Sequence, residues 1–151
     1  MYKRQDYVYN VQRLLKKFAT AAALVPQPVL KPAVRQTRLG VLYFGSTSAA
    51  MDEALEALSA SGIHLDAMRL RAFPFPPSVA EFIDGHDQLF VVEQNRDAQM
   101  RSLLVNELGV SPQRLAAVLH YDGTPITARF IAGAITQHVH ARAVAPKERV
   151  A

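Results

Sequence analysis

Hydrophobic and polar positions divide the chain into strand-like and helix-like segments that alternate from residue 39 onward. Four short and largely apolar runs are typical of strands in a buried sheet; they are 39–44, 63–70, 88–93 and 115–119. Each run is followed by a segment with apolar residues at helical spacing; these are 49–60, 78–83, 97–108 and 128–140. Strands that alternate with helices favour an α/β fold with a mainly parallel sheet between two layers of helices.

A further helix is predicted at residues 6–24, ahead of the first strand. Its apolar positions recur at helical spacing; they are Val8, Val11, Leu14, Leu15 and Phe18. Arg13, Lys16 and Lys17 occupy the other face. Three prolines between 26 and 32 then favour an extended connector. Two interpretations stay open, because this helix either packs on another protein part or folds back on its own domain.

The chain of 151 residues suits one domain with its own core. We divide it into a linker helix with a proline-rich connector (1–38), the α/β domain (39–140) and a disordered tail (141–151). Ser78 and Thr127 are expected to cap the helices that follow them.

Turns at one edge of the predicted sheet carry most of the polar residues. Right-handed crossovers place the loops that follow the four strands, at Gly45, Arg71, Glu93 and Tyr121, along that edge. Open α/β sheets bind ligands outside the carboxyl ends of their strands. This edge is therefore the place to look for function.

The densest polar cluster on this edge follows the third predicted strand. It consists of Glu93, Gln94, Asn95, Arg96 and Asp97. These side chains are suited to orienting a ligand or pairing with a partner chain. Alternatively, they satisfy one another while Asn95 or Asp97 caps the next helix. A cap would use one of the four residues Glu93, Asn95, Arg96 and Asp97 rather than all of them, which favours an interface or site.

Two weaker candidates lie on the same edge. Gly45, Ser46 and Thr47 precede a helix, where backbone N–H groups and hydroxyls suit a phosphate or carboxylate. They match neither the Walker A pattern nor Gly-x-Gly-x-x-Gly, and a capped tight turn is the simpler explanation of them. The second candidate is His120-Tyr121-Asp122, where the histidine is placed for acid–base chemistry. A turn histidine that bonds the backbone is the simpler explanation.

Composition and charge exclude several functions. The absence of cysteine excludes disulfides, a thiol nucleophile and cysteine-bound clusters. No histidine or carboxylate spacing fits a metal site, and no nucleophile motif occurs, so we predict neither catalytic residues nor metal ligands. Residues 1–38 carry eight Lys/Arg against one acidic group, whereas 39–151 carry nine against twelve, giving +7 and −3. Basicity confined to the leading segment argues against nucleic-acid binding. No apolar run is long enough for a membrane span and no signal peptide is seen, so we expect a cytoplasmic protein.

Four strings in register carry a family resemblance. They are YFGST, MRLRAFP, VVEQNRDAQ and VLHYDGTPIT, at 43–47, 68–74, 91–99 and 118–127. Together they resemble the C-terminal domain of the alpha subunit of 2-oxoacid:ferredoxin oxidoreductases, most closely the 2-oxoglutarate type, over residues 6–137. The chain departs from that family at Ala98, where glycine is expected.

The resemblance implies a transketolase C-terminal-like domain, a three-layer sandwich preceded by a linker helix. It implies part of an enzyme that converts a 2-oxoacid and coenzyme A to acyl-CoA and carbon dioxide while reducing ferredoxin. In that family, thiamine diphosphate, Mg and the iron–sulfur cluster are held by a beta subunit and earlier alpha domains. The resemblance therefore implies a fragment that binds no cofactor, is inactive alone and has those domains as partners. Residues 1–5 do not resemble a natural start, which suggests a sequencing or assembly artefact.

Three hypotheses result. In the first, the chain is a non-catalytic assembly domain whose strand-end residues face a neighbouring subunit or the catalytic domain. In the second, it is a free-standing module that binds a small anion, such as a nucleotide or CoA phosphate, through Gly45–Thr47 and Arg96. In the third, the polar residues only cap helices. The sequence leaves the choice of 2-oxoacid and the oligomeric state open.

Overall fold

A computed structural model describes residues 2–144 of the chain, with side chains for 3–142. Five strands are present: β1 Val29–Lys31, β2 Leu39–Phe44, β3 Asp66–Leu70, β4 Gln88–Glu93 and β5 Leu115–Leu119. Five α-helices accompany them: α1 Tyr2–Leu24, α2 Ser48–Ala60, α3 Pro77–Asp84, α4 Gln99–Leu108 and α5 Ala128–Val144. Short 3-10 turns occupy Gly45–Thr47 and Pro112–Arg114.

The five strands form one sheet in the order β1-β3-β2-β4-β5. The four strands β2 to β5 are all parallel to their neighbours, which confirms the predicted mainly parallel sheet. At the edge, β1 runs antiparallel to β3, with Val29 opposite Arg69 and Lys31 opposite Ala67. The carboxyl ends of β2 to β5 therefore meet at one edge of the sheet, as the sequence predicted.

Helices cover both faces of the sheet and produce two apolar cores. On one face, Met51 and Leu58 of α2 pack with Ile131 and Ile135 of α5. On the other face, the core includes Val79, Phe82 and Ile83 of α3 and Leu104 of α4. The result is the three-layer α/β/α sandwich expected from the alternating pattern.

Strand β1 is an element that the sequence analysis missed. The proline-rich segment was expected to be only an extended connector, yet three of its residues pair with β3. Proline cannot donate to a sheet ladder, so such a segment fits an edge strand of this length. The pairing depends on the free edge of β3, a strand that lies far from β1 along the chain. Strand β3 itself begins at Asp66, three residues after the predicted start.

Two helix boundaries also need correction. Helix α3 begins at Pro77, and the Ser78 hydroxyl is buried without a hydrogen-bond partner among the described residues, so it is not the predicted cap. Proline suits the first helical position because that position needs no N–H donor. Helix α5 continues to Val144, so residues 141–144 are helical and the disorder predicted for them is wrong. The rest of the predicted tail, 145–151, lies outside the described residues. Thr127 does cap α5, since its Oγ1 accepts from the Phe130 N–H at 3.2 Å.

The predicted N-terminal helix is confirmed as α1, and its apolar stripe is exposed. Its five apolar residues have exposed fractions between 39% and 65%; they are Val8, Val11, Leu14, Leu15 and Phe18. The interpretation in which this helix folds back on its own domain is therefore wrong for this structure.

Candidate functional site

The candidate site is the sheet edge formed by the carboxyl ends of the parallel strands. We define the rim as Gly45–Thr47, Gln94–Asp97 and His120–Asp122, which follow β2, β4 and β5. Strands β2 and β4 are neighbours, but the chain leaves β2 toward β3 on one side and β4 toward β5 on the other. Such a reversal of direction opens the crevice in which α/β proteins bind ligands.

Glu93, the last residue of β4, is completely buried beneath the rim. Its Oε2 accepts from the Met100 N–H at 2.7 Å and from Asn95 Nδ2 at 2.8 Å, and its Oε1 accepts from the Arg101 N–H at 2.9 Å. The first N–H groups of a helix have no partner within the helix and favour a negative charge. The Glu93 carboxylate accepts hydrogen bonds from two N–H groups at the start of α4 and places a negative charge there. It therefore has no surface to offer a partner, which corrects its prediction as a contact residue.

The rest of this cluster divides into an internal and an exposed part. Asn95 Oδ1 accepts from the Asp97 N–H at 3.1 Å and the Gln99 N–H at 3.3 Å, so it holds the turn before α4. Arg96 and Asp97 form an ion pair of 2.7 Å, with side-chain exposed fractions of 75% and 57%. The side chains of Glu93 and Asn95 are therefore hydrogen-bonded within the chain, whereas those of Arg96 and Asp97 are accessible to a partner.

Gln94 bridges the crevice between the β2 and β5 loops. Its Nε2 donates to Ser46 Oγ at 2.9 Å and Thr47 Oγ1 at 3.2 Å, while its Oε1 accepts from the Ile126 N–H at 3.4 Å. The hydroxyls proposed for anion binding are therefore already engaged. An anion at Gly45–Thr47 would have to displace this amide, which weighs against the second hypothesis.

His120 is nearly buried and tied to its surroundings. Its N–H donates to the Glu93 carbonyl at 2.9 Å, and its ring meets the Phe130 ring edge-on at 4.8 Å. Its Nε2 lies 3.4 Å from Asp122 Oδ1. The Thr124 N–H and hydroxyl both donate to Asp122, and they hold the pKa of that carboxyl below its ordinary value. The ring therefore contacts Phe130 and Asp122, and among the described residues no hydrogen bond joins it to the backbone. Its role in the turn or in acid–base chemistry stays a prediction.

The structure adds aromatic residues that the sequence analysis left out. Phe73, in the loop after β3, and Phe130, in the first turn of α5, are exposed at this edge together with Tyr121. Arg71 is exposed beside Phe73. Aromatic residues and arginine are enriched in protein–protein interfaces. The exposure of the proline-rich loop that contains Phe73 only emerges from the fold.

Among residues 2–144, no three or more histidine, aspartate or glutamate side chains lie close enough together to hold a metal ion. Within the same range, no helix has the length and apolar character required to cross a bilayer.

The fold is that of a transketolase C-terminal-like domain. A split-gene transketolase solved as an inactive beta4 tetramer matches 76% of this chain and 42% of its own, with a TM-score of 0.58 and 15% identity. No family model matches the chain.

Two further solved structures share the fold of this chain. The 2-oxoglutarate:ferredoxin oxidoreductase from Magnetococcus marinus matches 80% of this chain and 21% of its own, with a TM-score of 0.70 and 19% identity. The alpha chain of a probable 2-oxoacid ferredoxin oxidoreductase from Thermoplasma acidophilum matches 76% of this chain and 97% of its own, with a TM-score of 0.50 and 22% identity.

The sequence likeness agrees with the structural one. The alpha subunit of 2-oxoacid:ferredoxin oxidoreductase 2 from Aeropyrum pernix is 29% identical over 102 residues, which are 66% of this chain. This chain spans only 16% of the length of that relative. The resemblance inferred from the four strings is therefore confirmed.

Proposed function

We propose that the chain is the C-terminal, non-catalytic assembly domain of a 2-oxoacid:ferredoxin oxidoreductase alpha subunit. The observation that carries this proposal is the sequence similarity to the Aeropyrum pernix alpha subunit over 102 residues. The Magnetococcus marinus enzyme supports it through the shared fold. Because the chain spans a sixth of its relative, the proposal makes it a fragment whose reaction centre lies elsewhere.

The rim is the surface that we propose for assembly. Gln94, Arg96 and Tyr121 are exposed on it, with Phe73 and Phe130 nearby. Glu93 and Asn95 fix this surface from below, because their hydrogen bonds tie the rim loop to α4. A loop held by buried polar contacts presents its exposed side chains in one geometry, which lowers the entropic cost of binding. The partners would be the beta subunit and the preceding alpha domains.

The whole enzyme would convert a 2-oxoacid and coenzyme A to acyl-CoA and carbon dioxide while reducing ferredoxin. We favour 2-oxoglutarate, because the Magnetococcus marinus structure is described with 2-oxoglutarate, coenzyme A and succinyl-CoA bound. Thiamine diphosphate, Mg and an iron–sulfur cluster would belong to the other domains. This chain would position those domains and would not touch the reacting atoms.

The test compares two double variants in the full alpha subunit expressed with its beta subunit. Arg96→Ala/Tyr121→Ala removes two exposed rim side chains, and Asn106→Ala/Glu107→Ala removes two exposed side chains from α4 as the control. Truncating central interface residues costs about 1–2 kcal/mol or more, so we expect roughly tenfold weaker subunit association for the rim variant. Association is measured by light scattering after size exclusion, and turnover by ferredoxin reduction with 2-oxoglutarate or pyruvate. Unchanged association and turnover in the rim variant would contradict the proposal.

The free-standing anion-binding module is the competing outcome. Calorimetry of the 151-residue chain with coenzyme A separates the two, because an assembly domain has no reason to bind it alone. If the chain bound coenzyme A with a micromolar dissociation constant and Arg96→Ala abolished that binding, the anion-binding module would be the correct hypothesis in place of our proposal. The bonds from Gln94 to Ser46 and Thr47 lead us to expect no measurable heat of binding.

A further inference from the structure

A cavity lies at the end of the sheet opposite the rim, beneath the second half of helix α5, and we call it the α5 cavity. Leu39 and Gln88, the first residues of β2 and β4, line it together with Ala116 in the first half of β5. Its volume is about 440 Å³, within the range of roughly 300–1,000 Å³ that small-molecule sites have. This end of the sheet takes no part in the assembly surface proposed above.

One part of the lining is apolar and aromatic. The Phe90 ring is 1% exposed, and its centroid lies 6.1 Å from that of the His138 ring, with the two planes at 52°. Leu39, Ala116 and Val139 complete this part and pack against the core beneath α5. Aromatic rings at such separations and angles attract one another beyond the burial of their area. This part of the lining therefore favours a ligand with an aromatic ring.

The other part of the lining contains Arg142, whose guanidinium is held by Gln88. Gln88 is 8% exposed, and its Nε2 donates to the Leu89 carbonyl at 3.2 Å and to the Arg114 carbonyl at 3.1 Å. These two bonds orient the amide so that Gln88 Oε1 accepts from Arg142 Nη1. A guanidinium has five N–H donors and pairs with a carboxylate through two of them. Arg142 therefore keeps enough donors for such a pair while Gln88 holds it.

No carboxylate from the described residues lines the α5 cavity. Among residues 3–142, Arg142 takes part in no ion pair. The pKa of Asp87 is lowered mainly by its hydrogen bond with Arg38 and only slightly by the charge of Arg142. Gln113 also lines the cavity, and its Oε1 accepts from Ser111 Oγ, which leaves its amide hydrogens as donors. The cavity therefore offers one positive charge and further N–H donors to a single negative group.

We propose that the α5 cavity binds a small aromatic carboxylic acid, with its carboxylate on Arg142 and its ring against Phe90 and His138. Such a molecule matches both parts of the lining at once. A doubly charged phosphate would find one arginine for its two charges and would place the second charge beside apolar side chains, which is costly. This inference does not depend on the enzyme to which the chain contributes, because no residue of the rim takes part.

Phenylacetate is the probe that tests this proposal. It is titrated into the 151-residue chain up to about 10 mM, a range that covers the weak affinities usual for so small a ligand. The NMR signals of the Ala116 and Val139 methyl groups report on the cavity, and we expect them to shift with a dissociation constant of about 1 mM or below. Acetate lacks the ring and phenylacetamide lacks the charge, so each should bind at least about tenfold more weakly.

Three variants identify the contacts. Arg142→Gln should weaken phenylacetate binding at least about tenfold and leave the weak binding of phenylacetamide unchanged. Arg129→Gln removes an exposed arginine from the other end of α5 and is the matched control, which should bind phenylacetate as the original chain does. Ala116→Leu fills the cavity without changing its charge and should abolish binding. Urea unfolding verifies the fold of each variant, and Arg142→Gln alters an exposed side chain, so it remains informative if Ala116→Leu does not fold.

Several results would overturn the proposal. One is the absence of saturable shifts at Ala116 and Val139 across the titration. Others are equal binding of phenylacetamide and phenylacetate, or an affinity for phenylacetate that Arg142→Gln leaves intact. Shifts confined to Gly45–Thr47 and Arg96 would also overturn it, and they would support the anion-binding module at the rim.

Discussion

Glu93 is a carboxylate that is fully enclosed by protein, yet its two oxygens receive three hydrogen bonds. Enclosing an ionised group without partners is costly, and the donors from Asn95, Met100 and Arg101 offset that cost. At the residue scale, the polar cluster that follows β4 therefore has an internal task. It fixes the start of α4 and leaves only Gln94, Arg96 and Asp97 exposed for contacts.

Replacing Glu93 with glutamine tests this internal task. Glutamine keeps the shape, but its amide nitrogen has no lone pair for an N–H donor of α4 or Asn95. We expect Glu93→Gln to lower the free energy of unfolding by about 2–3 kcal/mol, the range lost with hydrogen bonds to a charged group. Urea unfolding of the 151-residue chain measures the change. Glu107→Gln, at an exposed position of the same helix, should stay within about 0.5 kcal/mol of the original. Equal stabilities of the two variants would refute the internal role of Glu93.

At the element scale, the start of α4 departs from ordinary backbone geometry. Ala98 adopts a left-handed conformation, with φ 49° and ψ 49°, and is the only non-glycine residue with positive φ among those described. A side chain in this region costs roughly 1 kcal/mol, and glycine avoids the cost. This geometry gives a physical reason for the glycine that the resemblance led us to expect at this position.

Ala98→Gly should therefore be neutral or stabilising, by up to about 1 kcal/mol. The removed backbone strain outweighs or balances the greater flexibility of glycine in the unfolded chain. The control is Ala57→Gly at an exposed interior position of α2, which should destabilise by about 1 kcal/mol. Thermal and urea unfolding of both variants provide the comparison. If Ala98→Gly cost as much as the control, strain at Ala98 would not be relieved by glycine.

At the scale of the whole molecule, charge is distributed unevenly and partly compensated at the surface. Arg38 Nη2 lies 2.6 Å from Asp87 Oδ1, and both side chains are exposed. The hydrogen bond from Arg38 is the main reason that the pKa of Asp87 lies below its ordinary value of 3.8. A carboxyl whose pKa is lower in the folded state than in the unfolded state stabilises the folded state at pH values above its ordinary pKa. That stabilisation disappears as the pH falls through the folded-state pKa.

Asp87→Asn should therefore lower the melting temperature at pH 7 and have little effect at pH 2.5. The pair is exposed, so we expect a fall of at most about 3 °C. Salt at 0.5 M should reduce it by screening. Circular dichroism melts of the two chains at both pH values measure the difference. A fall of the same size at pH 2.5 would show that the aspartate acts through something other than its charge.

The pattern of apolar positions determined most of the elements and their order. Strands β2, β4 and β5 lie where the sequence placed them, because a buried strand must be continuously apolar whatever surrounds it. Parallel pairing and the shared edge followed from the alternation of strands and helices. The four strings also predicted a resemblance to 2-oxoacid:ferredoxin oxidoreductase alpha subunits, which agrees with the similarity to the Aeropyrum pernix subunit.

Only the tertiary structure decided which polar residues face inward. A sequence shows that Glu93 follows a strand, but the donors that enclose it come from residues 95–101, which the fold brings together. Likewise, β1 exists because β3 has a free edge, and the apolar stripe of α1 is exposed although its spacing matches that of a buried helix. Local patterns determine an element because its hydrogen bonds and apolar face are set within the segment. Side-chain partners and uncovered faces depend on contacts between distant segments, which no local pattern contains.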